Sequence, residues 1–293
     1  MAASVQACQA DLVSERDALL AAVPAAQRDA AAATLASLAD KLERLQVAVQ
    51  AQDADVTALR CAAALADVAA LEIAQAPGLP FLLPSQYANR PRLVGRAVAE
   101  LVVAPGGGEP FAPLSDGAGP QRSGRLVLTL DGYNAPLTAG NFAALVARGF
   151  YDGVTLSGSA GDETLFALPA ARSPLAATLP LELRAEAEFE PRYRAPLDVL
   201  GSGELPVLPL SVYGAVAMAR GPEGNDSDGA TFFFYRFARE TAGLGGAAFE
   251  EGNYAVFGYV TEGAELLRQL RGGDRIVSAR LVAGQDRLVV PLA

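Results

Sequence analysis

The side chains able to do covalent chemistry are scarce in this sequence. There is no histidine and a single lysine, Lys41. Ser–His and Cys–His nucleophilic pairs, histidine acid/base steps and most zinc sites are thereby removed. A lone lysine leaves little room for Schiff-base chemistry, and no phosphate-loop lysine is present. Cys8 and Cys61 are too few and too far apart for a metal knuckle. They read either as two small buried hydrophobes or, in an oxidising compartment, as one disulfide.

Other constellations give weaker signals. Glu223-Gly224-Asn225-Asp226-Ser227-Asp228-Gly229 resembles a calcium loop, but its glycine comes one place late and no glutamate closes it. We read it as a solvated acidic loop. Gly106-Gly107-Gly108 and Gly243-Leu244-Gly245-Gly246 lack the strand-to-helix setting of phosphate loops and read as turns. Glu182, Glu186, Glu188 and Glu190 read as a wet, charge-rich face rather than paired catalytic carboxylates. No cofactor and no metal are expected.

The net charge of −10 argues against a nucleic-acid partner. No stretch approaches the ~20 apolar residues of a membrane-spanning helix. Residues 1–76 show apolar positions three or four apart, most regularly at Leu35, Leu38, Leu42, Leu45 and Val49. Val56, Leu59, Leu65, Val68 and Leu71 form a further stripe. The expectation is an antiparallel bundle of three helices with a thin Leu/Ala core. Residues 77–91, with prolines at 77, 80 and 84, read as a stiff connector that packs on both parts. From Arg92 the period shifts toward two. Strands are expected at Arg96–Val103, Arg125–Asp131, Leu179–Leu183, Gly214–Arg220, Thr231–Phe237, Tyr254–Val260 and Ile276–Val282. Short helices are expected at Thr138–Arg148 and Glu262–Leu270. The fold class is therefore α+β multidomain: a bundle over 1–76, then a closed antiparallel β-barrel with two short helices over 92–293.

Five segments of the barrel region resemble the cyclophilin family of peptidyl-prolyl isomerases. They are Ala135-Pro136-Leu137-Thr138-Ala139-Gly140-Asn141-Phe142, Gly149-Phe150-Tyr151-Asp152-Gly153, Gly214-Ala215-Val216-Ala217-Met218-Ala219, Thr231-Phe232-Phe233-Phe234 and Tyr254-Ala255-Val256-Phe257-Gly258. Each is weak by itself; five in the family's order over roughly 200 residues are specific. With the helices and the Leu79–Tyr87 connector, the chain is similar to multidomain cyclophilins of the thylakoid lumen in plants and green algae. That resemblance implies a chloroplast thylakoid-lumen location, proline-containing polypeptide segments as ligands, and the lumenal face of a photosynthetic membrane complex as a partner. An oxidising lumen would favour a Cys8–Cys61 bridge.

Turning an X-Pro bond means crossing a barrier near 20 kcal/mol set by amide resonance. A catalyst grips the proline ring and offers a donor to the prolyl nitrogen, which weakens the double-bond character in the twisted transition state. In cyclophilins that donor is an arginine shortly after the tyrosine-aspartate-glycine turn. Gapless alignment puts Gly158 at the arginine position. The glutamine-bearing wall becomes Asp162-Glu163-Thr164-Leu165-Phe166. The implied substrate-binding set is Met218, Ala219, Thr231, Phe233, Phe249 and Tyr254, with Phe249 at or near the family's tryptophan and Tyr254 at its histidine. Arg192, Arg194 and Arg220 are the candidate substitute donors. The expected function is that of a cyclophilin with weak or lost isomerase activity, acting as a chaperone or assembly factor. The alternative is an active isomerase with a rearranged site.

Overall fold

The computed structural model describes residues 2–291 apart from 77, 115–118, 160, 161, 172, 176, 222, 223, 239, 241, 244 and 245. The chain divides into two compact units, Met1–Pro80 and Phe81–Ala293. Pro77 of the expected connector, Glu223 of the acidic loop and Leu244-Gly245 of the glycine run lie outside the described residues.

The first unit consists of α1 (Ala2–Ser14), α2 (Arg16–Ala21), α3 (Arg28–Gln50) and α4 (Ala54–Gln75). The first apolar run, expected as one helix, breaks at Glu15 into α1 and α2. Helix α3 buries Ala31, Leu35, Leu38, Leu42, Leu45 and Ala48, the face its 3–4 spacing dictates. Asp53 caps α4, its carboxylate accepting from the Val56 amide at 3.0 Å. The α4 stripe departs from expectation: Val56, Leu59, Leu65 and Val68 are exposed, and Ala64 is its buried residue. The core takes Ala64, with Cys61 and Leu71 packed against it. The α4 residues that meet this core thus include the small Ala64 and Cys61, while Val56, Leu59, Leu65 and Val68 face outward.

The second unit contains strands β1 (Arg92–Leu93), β2 (Arg96–Ala104), β3 (Gly124–Asp131), β4 (Thr155–Ser157), β5 (Thr164–Leu168), β6 (Thr178–Pro180), β7 (Glu182–Leu183), β8 (Arg192–Tyr193), β9 (Tyr213–Arg220), β10 (Asp226–Arg236), β11 (Val256–Glu262), β12 (Arg275–Ala283) and β13 (Leu288–Val289). Its helices are α5 (Pro136–Ala147) and the one-turn α6 (Ala264–Leu267). The barrel runs β5-β4-β12-β2-β3-β11-β9-β10 and closes by β10 pairing with β5, every pair antiparallel. Closure removes the sheet edges that an open antiparallel sheet would expose. In β2, Ala97, Ala99, Leu101 and Val103 point inward while the alternate residues are half-buried, the pattern of a barrel wall.

Helix α5 is buried from Pro136 to Val146. Gly140 lets it lie against β1, because a Cβ there would sit 2.3 Å from the Arg92 Cα. Glu182 is buried and caps α5, accepting from the Leu137 amide (3.2 Å), the Thr138 amide (2.8 Å) and the Thr138 hydroxyl (2.7 Å). The glutamate stretch is therefore wet only in part. The acidic loop is likewise corrected: Asp226–Asp228 opens β10, with Asp226 paired to Arg194 at 2.8 Å. Phe81 and Tyr87 of the expected connector are buried within the second unit, against Phe189 and Tyr193.

Candidate peptide-binding site

Strand register builds the candidate site. Phe166 of β5 pairs with Phe233 of β10, Phe233 with Ala217 of β9, and Ala217 with Val256 of β11. One row of side chains thus crosses four strands. A second row runs Thr164, Tyr235, Ala215 and Tyr259. Alternation sends Phe232 and Phe234 into the main barrel core, while Phe233 and Tyr235 join Leu210, Ala215, Ala217, Ala248 and Val256 in a separate cluster.

The motif residues hold β10 in place. The Tyr151 hydroxyl donates to the Ala230 carbonyl at 2.9 Å, and the Asn141 amide donates to the Gly229 carbonyl at 2.9 Å. Asp228 accepts from the Ala230 and Thr231 amides at 2.7 and 2.6 Å, stabilising the bulge between Ser227 and Phe232. On the far side, the buried Glu251 accepts from the Leu210 amide (2.7 Å), the Ser211 amide (2.8 Å) and the Ser211 hydroxyl. The Ser211 hydroxyl oxygen in turn accepts from the Ala248 amide at 2.7 Å. These bonds fasten segment 208–211 to segment 248–251 beside the aromatic row.

Phe233 is 1% exposed. Tyr254 meets it edge-on at 5.1 Å and Phe166 lies at 5.3 Å, so the apolar floor is already covered by the chain's own rings. Tyr235 donates to Glu163 at 2.9 Å. Burial, then the neighbouring Glu163 carboxylate, pushes the Tyr235 phenol up; burial does the same for Tyr254. Both phenols stay protonated donors over the physiological range.

Of the residues expected from the sequence, Phe233 and Tyr254 come together. Ala219 and Thr231 are half-buried two residues along their strands from Ala217 and Phe233. Met218 is fully buried in the barrel interior with Phe232 and Phe234, because it alternates with Ala217. Phe249 is 70% exposed and stands near Gly243, outside the cluster. The sequence places Phe166 only within the segment at the family's glutamine-bearing wall; its partnership with Phe233 depends on the β5–β10 register that closes the barrel. Cys8 is an exposed free thiol and Cys61 a half-buried one.

Gly158 follows β4 with φ +144°, and its carbonyl accepts from the Gly272 amide at 2.6 Å. A Cβ at this position would lie 2.8 Å from the Thr164 carbonyl oxygen. The backbone there is shaped for glycine. Other arginines are tied elsewhere. Arg192 is clamped by Glu188 and Glu204 at 2.6 and 3.0 Å, and Arg194 by Asp226. Buried Arg236 donates to the Leu270 and Ser159 carbonyls, both at 3.0 Å, pinning the segment that follows Gly158. Arg220 donates to the Gly224 carbonyl (2.6 Å) and the Asn253 carbonyl (2.8 Å), and lines a hollow of about 350 Å³ with Glu250, Asn253 and Tyr254. Among the described residues, no cluster of three His, Cys, Asp or Glu side chains is placed to hold a metal ion, and no helix is long and apolar enough to cross a membrane.

Comparison with known proteins bears on the same residues. Residues 120–283 match the family model for cyclophilin type peptidyl-prolyl cis-trans isomerase/CLD. Over 285 residues the chain is 42% identical to the chloroplastic peptidyl-prolyl cis-trans isomerase CYP37 of Arabidopsis thaliana, covering 96% of this chain and 60% of that one. Over 299 residues it is 36% identical to a protein described as a thylakoid lumen peptidyl-prolyl cis-trans isomerase of Synechocystis sp., covering 97% and 73%. The chain thus spans only 60% of the length of the Arabidopsis relative. A cyclophilin type isomerase structure from Cryptosporidium parvum aligns with a TM-score of 0.44 at 16% identity, over 64% of this chain and 97% of that one. The compartments of the two relatives agree with the lumenal location expected from the sequence. A family match across residues 120–283, and relatives aligned over the helices as well, place the chain in the cyclophilin-type peptidyl-prolyl cis-trans isomerase family.

Proposed function

We propose that this chain works in the thylakoid lumen as a holding member of its family. It has weak or lost isomerase activity and binds polypeptide segments, proline-containing ones among them, of photosynthetic membrane complexes as a chaperone or assembly factor. The observation that supports this reading is Gly158: its φ of +144° and the Thr164 carbonyl 2.8 Å from a would-be Cβ disfavour any side chain at the position where the resemblance expects the donor. Loss of one charge-assisted donor used in the transition state costs about 3 kcal/mol, a hundredfold or more in rate. The covered Phe233 points the same way, since proline has to displace Tyr254 to reach it.

The test is NMR exchange spectroscopy of a proline-containing peptide with the purified chain, paired with co-purification from detergent-solubilised thylakoid membranes. The expected result is exchange close to the uncatalysed rate, together with recovery of a membrane complex. Recovery of no complex overturns the holding role.

A second reading, a working isomerase with a rearranged site, draws on Arg220, whose guanidinium lines the hollow beside Tyr254. Exchange at least about tenfold above background, abolished in Arg220→Ala, would establish it in place of the first.

A further inference from the structure

The bundle carries a trough of about 760 Å³ that the barrel site does not explain. Helices α1 and α4 both pack on α3, and the trough opens between them. Its floor is formed by Leu38 and Leu42 of α3; its walls are Val5 and Leu12 of α1 and Leu65 and Val68 of α4. Leu65 and Val68 stay 59% and 36% exposed, so the largest apolar side chains of this wall face the opening. Asp11 and Glu15, both exposed, stand on the α1 side of the same trough. The one nearby cation of α1–α2, Arg16, belongs to a separate hollow with Gln9 and Val13.

We propose that this trough is the docking site of an amphipathic helix from a partner polypeptide, with an apolar face inward and lysine or arginine along its flank. Three arguments select that occupant. The walls and floor are helices, whose side-chain ridges and grooves offer a further helix an interlocking surface. From Ser4 to Ser14 the α1 wall is about 15 Å long at 1.5 Å per residue, which suits about three turns with anchors at i, i+3, i+4 and i+7. The carboxylates of Asp11 and Glu15, on a chain of net charge −10, complement a basic flank and oppose a fatty acid or an anionic lipid headgroup. Cys8 and Cys61 line opposite walls of the trough and serve as built-in reporters of its occupancy. The inference extends the proposed holding role to the bundle, and it does not depend on what the barrel site does.

The experiment uses the full chain and a fluorescein-labelled synthetic peptide of about four helical turns, leucines at helical spacing and lysines on the flank. A scrambled peptide of equal composition and a glutamate-flanked one are the comparisons. Anisotropy should show saturable binding of the lysine-flanked peptide that weakens with added salt. Alkylation of Cys8 and Cys61 by N-ethylmaleimide should slow when the peptide is bound. Leu65→Asp, a change at an exposed position, should weaken binding at least about tenfold. Asp11→Lys with Glu15→Lys should shift preference to the glutamate-flanked peptide, with circular dichroism confirming that each variant is folded. The proposal is overturned by absent binding, by equal binding of the scrambled peptide, or by an unchanged affinity in Leu65→Asp. It is also overturned if sedimentation shows a dimer that Leu65→Asp dissolves, since the occupant is then a second copy. Isomerase activity is not read, so failure here leaves the reading of the barrel site untouched, and the reverse holds too.

Discussion

At the scale of single residues, the contrast lies between motif positions that brace the fold and a glycine at the position where the resemblance expects an arginine. Tyr151, Asp152 and Asn141 sit in the family's recognisable motifs, and each serves as a brace. Tyr151 and Asn141 hold the β10 bulge, and Asp152 accepts from the Ala279 amide and pairs with Arg280. Arg280 beside it holds the Asp152 carboxyl below the usual range. Gly158 is the converse case. The backbone around it suits glycine, with φ +144° and the Thr164 carbonyl oxygen 2.8 Å from a would-be Cβ. We expect Gly158→Arg to destabilise the second unit by about 1–3 kcal/mol through left-handed backbone strain and contact with Thr164. No gain in prolyl exchange is expected. A variant of unchanged stability with rapid exchange would show that the loop accepts the donor and that only the side chain is missing.

At the scale of elements, Glu182 shows how a distant segment secures α5. The carboxyl that caps α5 is fully buried, and burial pushes its pKa up from 4.5 to about 7 despite the bonds from Thr138 and Leu137. In the folded chain it keeps its proton to higher pH than in the unfolded chain. Between pH 4.5 and 7 the unfolded state binds fewer protons, so stability falls as pH rises through this window. The difference corresponds to about 3 kcal/mol at most, present below pH 4.5 and lost above 7. Urea unfolding of the parent and of Glu182→Gln, followed from pH 4.5 to 8, should show a slope in the parent that the glutamine variant lacks. Equal slopes would mean that the carboxyl ionises normally in the fold. This cap was not legible in the sequence, where Glu182 sits among Glu186, Glu188 and Glu190 and looks equally wet. Legible were the elements whose period is strict, α3 and β2, and the motif segments whose order carried the family. What escaped depended on pairing between distant segments: Phe166 reaching Phe233, Met218 turning inward, and Phe249 standing outside the cluster. Residue type does not reveal strand register, and a one-residue slip exchanges the two faces. The α4 stripe misled for a related reason, since Ala64 could be recognised as the contact residue only once α3 was in place.

For the whole molecule, the division into Met1–Pro80 and Phe81–Ala293 coincides with a sharp change in composition. All 8 tyrosines and all 12 phenylalanines lie from Phe81 onward, and there is no tryptophan. The bundle is therefore silent in the near-ultraviolet, yet it supplies most of the helix, including the long α3 and α4. Two optical signals thus report two units. The bundle's core is thin: its main cluster has Val5, Leu38, Leu42, Leu45 and Ala64 as buried members, and Leu38 and Leu42 also floor an open trough. Such a core has little to lose. Removing the Leu38 side chain is expected to cost about 2–5 kcal/mol, a large share of what a small bundle holds. In Leu38→Ala we expect the thermal transition at 222 nm to begin well below that of the parent, while the near-ultraviolet tyrosine transition stays at the parent temperature. If both signals shift together, the two units unfold as one cooperative body, and the bundle draws its stability from the barrel rather than from its own leucines.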